Sequence, residues 1–566
     1  MGRDMRDLLA DCRLQDEALR SARLRIWLGA EPTFTDRLSQ DAPWLSLVEG
    51  GDKERRASAL LRTLSGRLAS SARLIRVEGR KFPGEERTRF CLGALYRPRK
   101  LGCPPGGQDD SALEGPPLAV PAPEPDERWL TVTPDPGVVE VNLAPAPDLV
   151  CFAAHGEALY AAALEVGLSP VRFRWNGQVT DSGGGGQLTL GGPSPEESPF
   201  FQHPQLLPRL VRYLNNHPSL SYAFAPDCLG SAGQGPRPDE GVRERFEELG
   251  VALDRLAERR QVGPDELWAT LAPLLVDASG NSHRAEVNVE KLWNPHLPVR
   301  GKMGLVELRA LRMPATPERF LALGALFRAA AARLALKPYE EPLRDLGPDL
   351  HDRASLPLYL EQDLRAVLAD LEENGFGLGP GFEAELQTPG REIARVEFAG
   401  AALSIRPAVD FWPLIGDVAS QEREPVRTVD SSSERVELRV TSPGTPPGRI
   451  AAQGVELALE PAGGATHLAA VRYRAFVPHP GIHPGLGPHD PLVVEWERRG
   501  ETVRVELHGW RPGGGAYDGL PADAAEAERR RRERVLVKPG RYHASRRSPS
   551  RLLTLDLRRL PVVLPT

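Results

Sequence analysis

Apolar residues recur at helical spacing in some stretches of the chain and alternate with polar ones in others. Leu60, Leu61, Leu64 and Leu68 predict a helix over 54–69. The same spacing predicts helices over 4–22, 154–166, 204–217, 239–260, 316–336 and 356–374. Alternation predicts strands at 23–29, at two places within 72–98, from 138 to 143, across 285–291 and at 305–309. Past residue 390 the texture changes to short alternating runs at 435–441, 450–459, 467–477, 491–497 and 502–509. Turn residues separate these runs, which suggests a β-sandwich module. Residues 101–127, rich in Gly, Pro, Asp and Glu, read as an exposed loop. A basic helix over 524–534 and a tail close the chain; a run of like charge is usually solvated. The expected divisions are an N-terminal helix at 1–22, a main domain at 23–390, a β-sandwich at 391–520, and the basic helix and tail at 521–566.

The strand patterns carry the candidate chemistry. In Pro134-Asp-Pro-Gly-Val-Val-Glu140-Val-Asn142 a turn feeds an alternating strand. Side chains i and i+2 share a face, so Glu140 and Asn142 point one way and Val139 and Val141 the other. A carboxylate beside an amide can hold a hard cation or orient an ammonium group; a wet edge strand is the alternative. Glu31, Glu286, Asn288 and Glu290, and Glu307 with Arg309, repeat the arrangement on other predicted strands. Gathered in one sheet, these carboxylates would raise one another's pKa values unless cations neutralised them. Mg²⁺ or Mn²⁺ is the natural counter-charge for carboxylate oxygens. His283 adds a nitrogen ligand or caps the turn that also holds Arg284.

The glycine run Gly183, Gly184, Gly185 and Gly186 would let backbone N–H groups approach phosphates. It lacks the Lys-Ser/Thr of a P-loop, and a flexible loop explains it equally well. Arg80 and Lys81 flank a Pro-Gly turn and are either phosphate contacts or a solvated hairpin. Asp239 is a candidate N-cap for the helix that follows.

Composition narrows the class. With 41% hydrophobic and 26% charged residues the chain reads as a globular protein. A net charge of −6 over 566 residues leaves no general footprint for nucleic acid. No apolar run is long enough for a membrane helix, and the charged N-terminus is unlike a secretory signal. Five scattered cysteines without a Cys-x-x-Cys pair suggest reduced thiols in a cytoplasmic protein.

Six stretches occur in an order that resembles a bacterial family. They are Gly29-Ala-Glu31-Pro-Thr-Phe34, Lys81-Phe-Pro-Gly-Glu85, Thr133 through Asn142, His217-Pro-Ser-Leu-Ser-Tyr222, Gly280-Asn-Ser-His283-Arg-Ala-Glu286 and Gly304-Leu-Val-Glu307-Leu-Arg309. Thr428 to Arg435 and Val471 to Ala475 extend the resemblance, which covers roughly 23–540. The family often follows a transglutaminase-like domain in longer chains. It is placed among the carboxylate–amine ligases of the glutamine synthetase and glutamate–cysteine ligase superfamily.

The resemblance implies an α+β fold: an antiparallel sheet curled into a glutamine synthetase-like half-barrel, with helices outside and the β-sandwich appended. It implies ATP and divalent metal on the concave acidic face, and amide formation through an acyl phosphate. Glu31, Glu140, Glu286 and Glu307, with His283, would then hold metal. Arg309, Glu140 and Glu307 would serve catalysis. Lys81, Gly184, Gly185, Gly186, Asn142 and Arg284 would meet the nucleotide. Substrates would be amino acids or peptides. The partners that accompany the family are an ATP-grasp protein, a helical alpha-E protein and a transglutaminase-like protein.

Two departures stand out: Gln187 follows the glycines where the family has Asn-His, and Arg312 stands where it has an acid. They leave open a catalytically weak scaffold or binding subunit. An amide hydrolase on the same face is a third reading.

Overall fold

The structure, a computed structural model, describes residues 5–36, 51–79, 89–98, 108–109, 128–135, 138–182, 185–259, 261–297, 301–387, 392–417, 427–478, 482–515, 517–548 and 551–559. Arg80, Lys81, Gly183 and Gly184 lie outside those residues, as does nearly all of the loop expected at 101–127.

An eleven-stranded sheet organises the first part of the chain. Its main path runs Val287–Asn288, Val306–Leu308, Gln187–Gly191, Trp27–Glu31, Val138–Ala146, Arg128–Asp135, Arg89–Pro98, Ala69–Gly79 and Gln108–Asp109. Neighbours on this path are antiparallel except the last pair. The chain is thus of mixed α+β class, with a large antiparallel sheet and covering helices. Alternation turns Leu28, Ala30, Leu188, Leu190, Val306 and Leu308 to one face, where they share a core with the helices Met5–Ser21 and Pro317–Leu336. Further along the sheet, Leu92, Leu130, Val132, Val139 and Val141 pack on the helices Gly51–Leu68 and Leu149–Glu165.

The helix Pro317–Leu336 is buried from Phe320 through Ala335. A helix apolar all round belongs inside a core, yet this one carries Arg328. Its Nη1 donates to the Asp16 carboxylate, and its Nε donates to the Ile26 carbonyl at 2.9 Å. Asp16 also accepts the N–H of Leu149 at 3.0 Å, at the start of the helix Leu149–Glu165. There the helix dipole favours negative charge. One carboxylate thus ties three helices and the approach to the Trp27–Glu31 strand.

Beyond residue 391 the described chain forms two six-stranded sheets. Val436, Leu438 and Val471 of one meet Ile450, Val494, Trp496 and Val505 of the other in a single apolar core. The strands Val535–Pro539, Arg546–Arg547 and Thr554–Asp556 belong to these sheets. The expected tail is solvated, with Leu536 through Pro539 exposed, but parts of it are paired in sheets. Its arginines hid a short apolar run, Val535-Leu-Val537, which pairs with the Glu501–Leu507 strand. Among the described residues no helix is long and apolar enough to cross a membrane.

Asp16→Ala should lower stability by about 3–5 kcal/mol, because it leaves Arg328 buried without its partner. Glu17→Ala breaks an exposed pair with Arg20 and should cost less than about 1 kcal/mol. Melting temperatures of the two variants check this; equal shifts would contradict it.

Candidate active site

The side chains opposite the helices form a polar face, and the strand register decides which of them meet. Glu31 lies opposite Gln187, Thr189 opposite Glu307, and Asn288 opposite Glu307. The Glu286 carbonyl accepts the N–H of Arg309 at 2.9 Å, which carries the pairing one step further. Glu31, Glu286, Glu307 and Arg309 are therefore on one face of adjacent strands. Glu31, Glu286 and Glu307 are all buried there.

Buried carboxylates need counter-charges. Lys291 supplies one: its ammonium bonds Glu31 and lies 3.3 Å from Glu307. Arg309 supplies another, donating from Nη1 to Glu307 and, at 3.3 Å, to the Gln187 side-chain carbonyl. Burial and the neighbouring Glu307 hold the Glu31 pKa above the ordinary carboxylate range, against the pull of Lys291. Burial alone would discharge Lys291, but Glu31 and Glu307 outweigh it and hold the ammonium above its usual value. The Arg309 Nε is buried without a hydrogen-bond partner.

Glu286 belongs to a second network. Ser221 donates to it, and Arg237 Nη1 donates to Ser221 Oγ at 2.9 Å. Arg237 is 1% exposed and also grips Asp239 with Nε at 3.0 Å and Nη2 at 2.9 Å. Burial works against its charge, but Asp239 and Glu286 outweigh that and raise its pKa. Glu240 accepts from the Arg237 backbone at 2.9 Å, with Tyr222 and His351 on its other oxygen. Asp239 is the partner of Arg237 and not the expected N-cap; the helix Arg243–Ala257 has Val242 at that position, and Arg237 opens only the short turn Pro238–Glu240.

The described end of the glycine run packs against the far end of the Glu-x-Arg strand. Gly186 donates its N–H to the Leu311 carbonyl at 2.9 Å, and Gly185 bridges to Arg312. A Cβ at Gly186 would stand 2.4 Å from the Arg312 carbonyl oxygen, so no side chain fits. Arg312 pairs with Asp227 and lies 3.8 Å from Asp181, so the charge reversal at this position has its own acids.

The other candidates have partners of their own. Glu140 accepts from Asn142 at 3.0 Å and lies in register with Thr33 and Thr133. Thr33 Oγ1 in turn donates to the Gly185 carbonyl at 3.1 Å. His283 is 3.2 Å from Glu290 and largely exposed, and Arg284 is 3.9 Å from Asp277. Lys81 and Gly184 fall outside the described residues. The strand expected across 285–291 ends at Asn288, whose side-chain carbonyl accepts the Glu290 N–H at 2.8 Å. The helical turn Glu290–Trp293 follows and delivers Lys291 to the acidic face. Strict alternation would have placed Lys291 on the opposite face. Arg237 and Ser221 were missed because only tertiary packing joins them to Glu286.

A divalent ion does not fit this donor set. Lys291 stands between Glu31 and Glu307, Glu286 is occupied by Ser221, and Glu140 and His283 lie with other partners. Among the described residues no group of three His, Cys, Asp or Glu side chains could hold a metal ion. The expected five-ligand set for Mg²⁺ or Mn²⁺ is not assembled.

The polar face of an antiparallel sheet, with buried carboxylates held by a lysine and two arginines, defines a candidate catalytic α+β protein. The chain belongs to the family described as "Putative amidoligase enzyme (DUF2126)", which matches residues 4–103 and 113–558. No curated protein matches it. Among solved structures it is similar to a GmaS/ADP complex in its conformation 1, at 12% identity and a TM-score of 0.28. That match covers 67% of this chain and 72% of the other.

Burial, above all, pushes the Glu286 pKa from 4.5 to about 7. The folded state therefore holds this proton more tightly than the unfolded chain does. The resulting stabilisation is complete below pH 4.5 and is lost as pH rises through about 7. A shift of that size is worth on the order of 3 kcal/mol. Glu286→Gln, which stays neutral, should gain in melting temperature relative to the wild type as pH rises across this window. A difference independent of pH would contradict it.

Proposed function

We propose that the protein is an ATP-dependent carboxylate–amine ligase that forms an amide through an acyl phosphate. Membership of the amidoligase family supports the reaction class. The Glu31–Lys291–Glu307–Arg309 network is the observation that supports siting it on this face. In this reading the large sheet is the floor of a glutamine synthetase-like half-barrel.

The γ-phosphoryl group of ATP passes to a substrate carboxylate oxygen, and ADP leaves. The amine nitrogen then attacks the acyl carbon. The C–N bond forms, the C–O bond to phosphate breaks, and the amine's proton goes to Glu31. Phosphoryl transfer is mostly positioning and charge stabilisation. Arg309 carries a planar fork suited to phosphoryl oxygens, and its pairing with Glu307 holds it in place. Lys291 supplies the positive charge between the carboxylates, and Glu307 orients both cations. No step is routed through a metal, because the donor set does not fit one.

Lys291 also favours a second reading. A lysine that, together with Arg309, neutralises Glu31 and Glu307 suits a binding subunit serving ATP-grasp, alpha-E or transglutaminase-like partners.

One assay separates the two. The purified chain is incubated with ATP, Mg²⁺ and an amino-acid mixture, and phosphate and product mass are measured. Arg309→Ala and Glu307→Gln should each reduce phosphate release by about 10²–10³-fold, the usual loss of a charge-stabilising group. Wild-type release no greater than that of Glu307→Gln would sink the ligase reading and leave the binding subunit.

A further inference from the structure

A cavity of about 1260 Å³ lies between the helices of the first part and the sheets of the second. It is larger than most small-molecule sites, which span roughly 300–1,000 Å³. Its lining has a charge opposite to that of the whole chain. Ten arginines and no lysine face it, against five carboxylates, while the chain carries a net −6.

The carboxylates are already engaged. Asp227 holds Arg312, and Glu361 holds Arg406 and Arg439. Glu392 accepts from Ser404, Asp410 from Ser433 and Arg472, and Glu434 from Gln178 and Tyr473. The surplus is cationic. Arg174, Arg319 and Arg365 line the cavity and make no ion pair with the described residues. Arg174 stands over the Phe476 ring at 5.8 Å and Arg319 over Phe224 at 5.2 Å, which holds both in place.

The protein's own acceptors also leave the lining arginines under-satisfied. The Nε atoms of Arg312, Arg435, Arg531 and Arg534 are buried without hydrogen-bond partners among the described residues, and all four residues line this cavity. Buried donors without acceptors are costly and rare. A guanidinium presents a planar fork that matches a carboxylate.

We propose that this cleft binds an acidic peptide, its glutamate or aspartate side chains held by the unpaired arginines. Nucleic acid fits less well. Single strands are held by exposed aromatic faces. Here Tyr222 and Tyr473 are buried, with their hydroxyls tied to Glu240 and Glu434, which leaves the half-buried Trp412 as a single stacking face, its ring N–H held by the Ser433 carbonyl at 3.0 Å. The five interspersed carboxylates keep lone pairs that can accept peptide N–H groups, donors that a phosphodiester backbone lacks.

The cleft borders the acidic face. Arg312 lies three residues beyond Arg309, and Tyr222 follows Ser221, the donor to Glu286. The acidic peptide is then the carboxylate substrate. That last step rests on the ligase reading; the binding does not.

The test is fluorescence anisotropy of labelled hexaglutamate with the full-length chain and no ATP. Hexaglutamate should bind, weaken with added salt, and outcompete hexalysine and a single-stranded RNA of equal charge. The triple variant Arg174→Gln, Arg319→Gln, Arg365→Gln should weaken binding roughly tenfold, as expected for three partly exposed charge pairs. Arg365→Gln alone, on an exposed helix position, should weaken it measurably should the triple variant fail to fold. Arg13→Gln, exposed and outside the cleft, should not change it. Glu307→Gln should bind like the wild type while losing phosphate release, so peptide binding and turnover are read separately. Absence of binding, equal affinity in the wild type and the Arg365→Gln variant, or tighter binding of the RNA overturns the proposal.

Discussion

Charge neutralisation on one sheet face governs the rest of this structure. Glu31, Glu286 and Glu307 are buried on adjacent strands, and an isolated buried carboxylate costs far more than a hydrogen bond returns. The molecule answers with cations from three different places. Lys291 comes from a helical turn, Arg309 from the same strand as Glu307, and Arg237 from a turn between helices. Each cation forces a local feature. Asn288 must end its strand early, Gly186 must come close to the Arg312 backbone, and Ser221 must bridge Arg237 to Glu286.

The strand register makes this answer unique. Because side chains alternate, a one-residue slip of the Val306–Leu308 strand would turn Glu307 into the helices and Leu308 onto the polar face. The core therefore enforces the position of the acids. Leu188 opposite Leu308, with Thr189 opposite Glu307, states both requirements in one pairing. Asp16 and Arg328 work on the opposite side of the sheet, where they hold the helices that cover its apolar face.

Periodicity made the long helices and most of the strands legible from the sequence, because each is set by contacts within a few residues. The face shared by Glu31, Glu286, Glu307 and Arg309 was also legible, since alternation within a strand decides it. What neutralises that face was not. Lys291 reaches it only because Asn288 bonds the Glu290 N–H, and a pattern of alternating letters does not show where a strand stops. Arg237 and Glu286 are 49 positions apart, and nothing local links them. The strands after residue 534 escaped for a different reason: their basic residues masked the apolar edge that pairs with Glu501–Leu507. The placement of Lys81 and Gly184 is outside the described residues.

The two halves of the chain meet through small apolar clusters, Leu358 with Leu468 and Leu553 and Phe411 with Tyr222 and Leu360, and through directional polar contacts that shape what lies between them. Asp352 accepts the N–H groups of Leu553 and Thr554 at 2.7 and 2.8 Å, and Glu437 accepts that of Leu358 at 2.9 Å. Arg435 donates to Ser355 at 2.9 Å and to the His351 carbonyl at 3.2 Å. An apolar junction would close by sliding until all surface was buried, because the hydrophobic effect has no direction. Hydrogen bonds of this kind instead fix distance and angle. They can hold a large cavity open between the two parts. An arginine-rich cleft beside an acidic face is stable only under such a constraint. The same charges, free to approach, would collapse onto each other and leave nothing for a ligand to pair with.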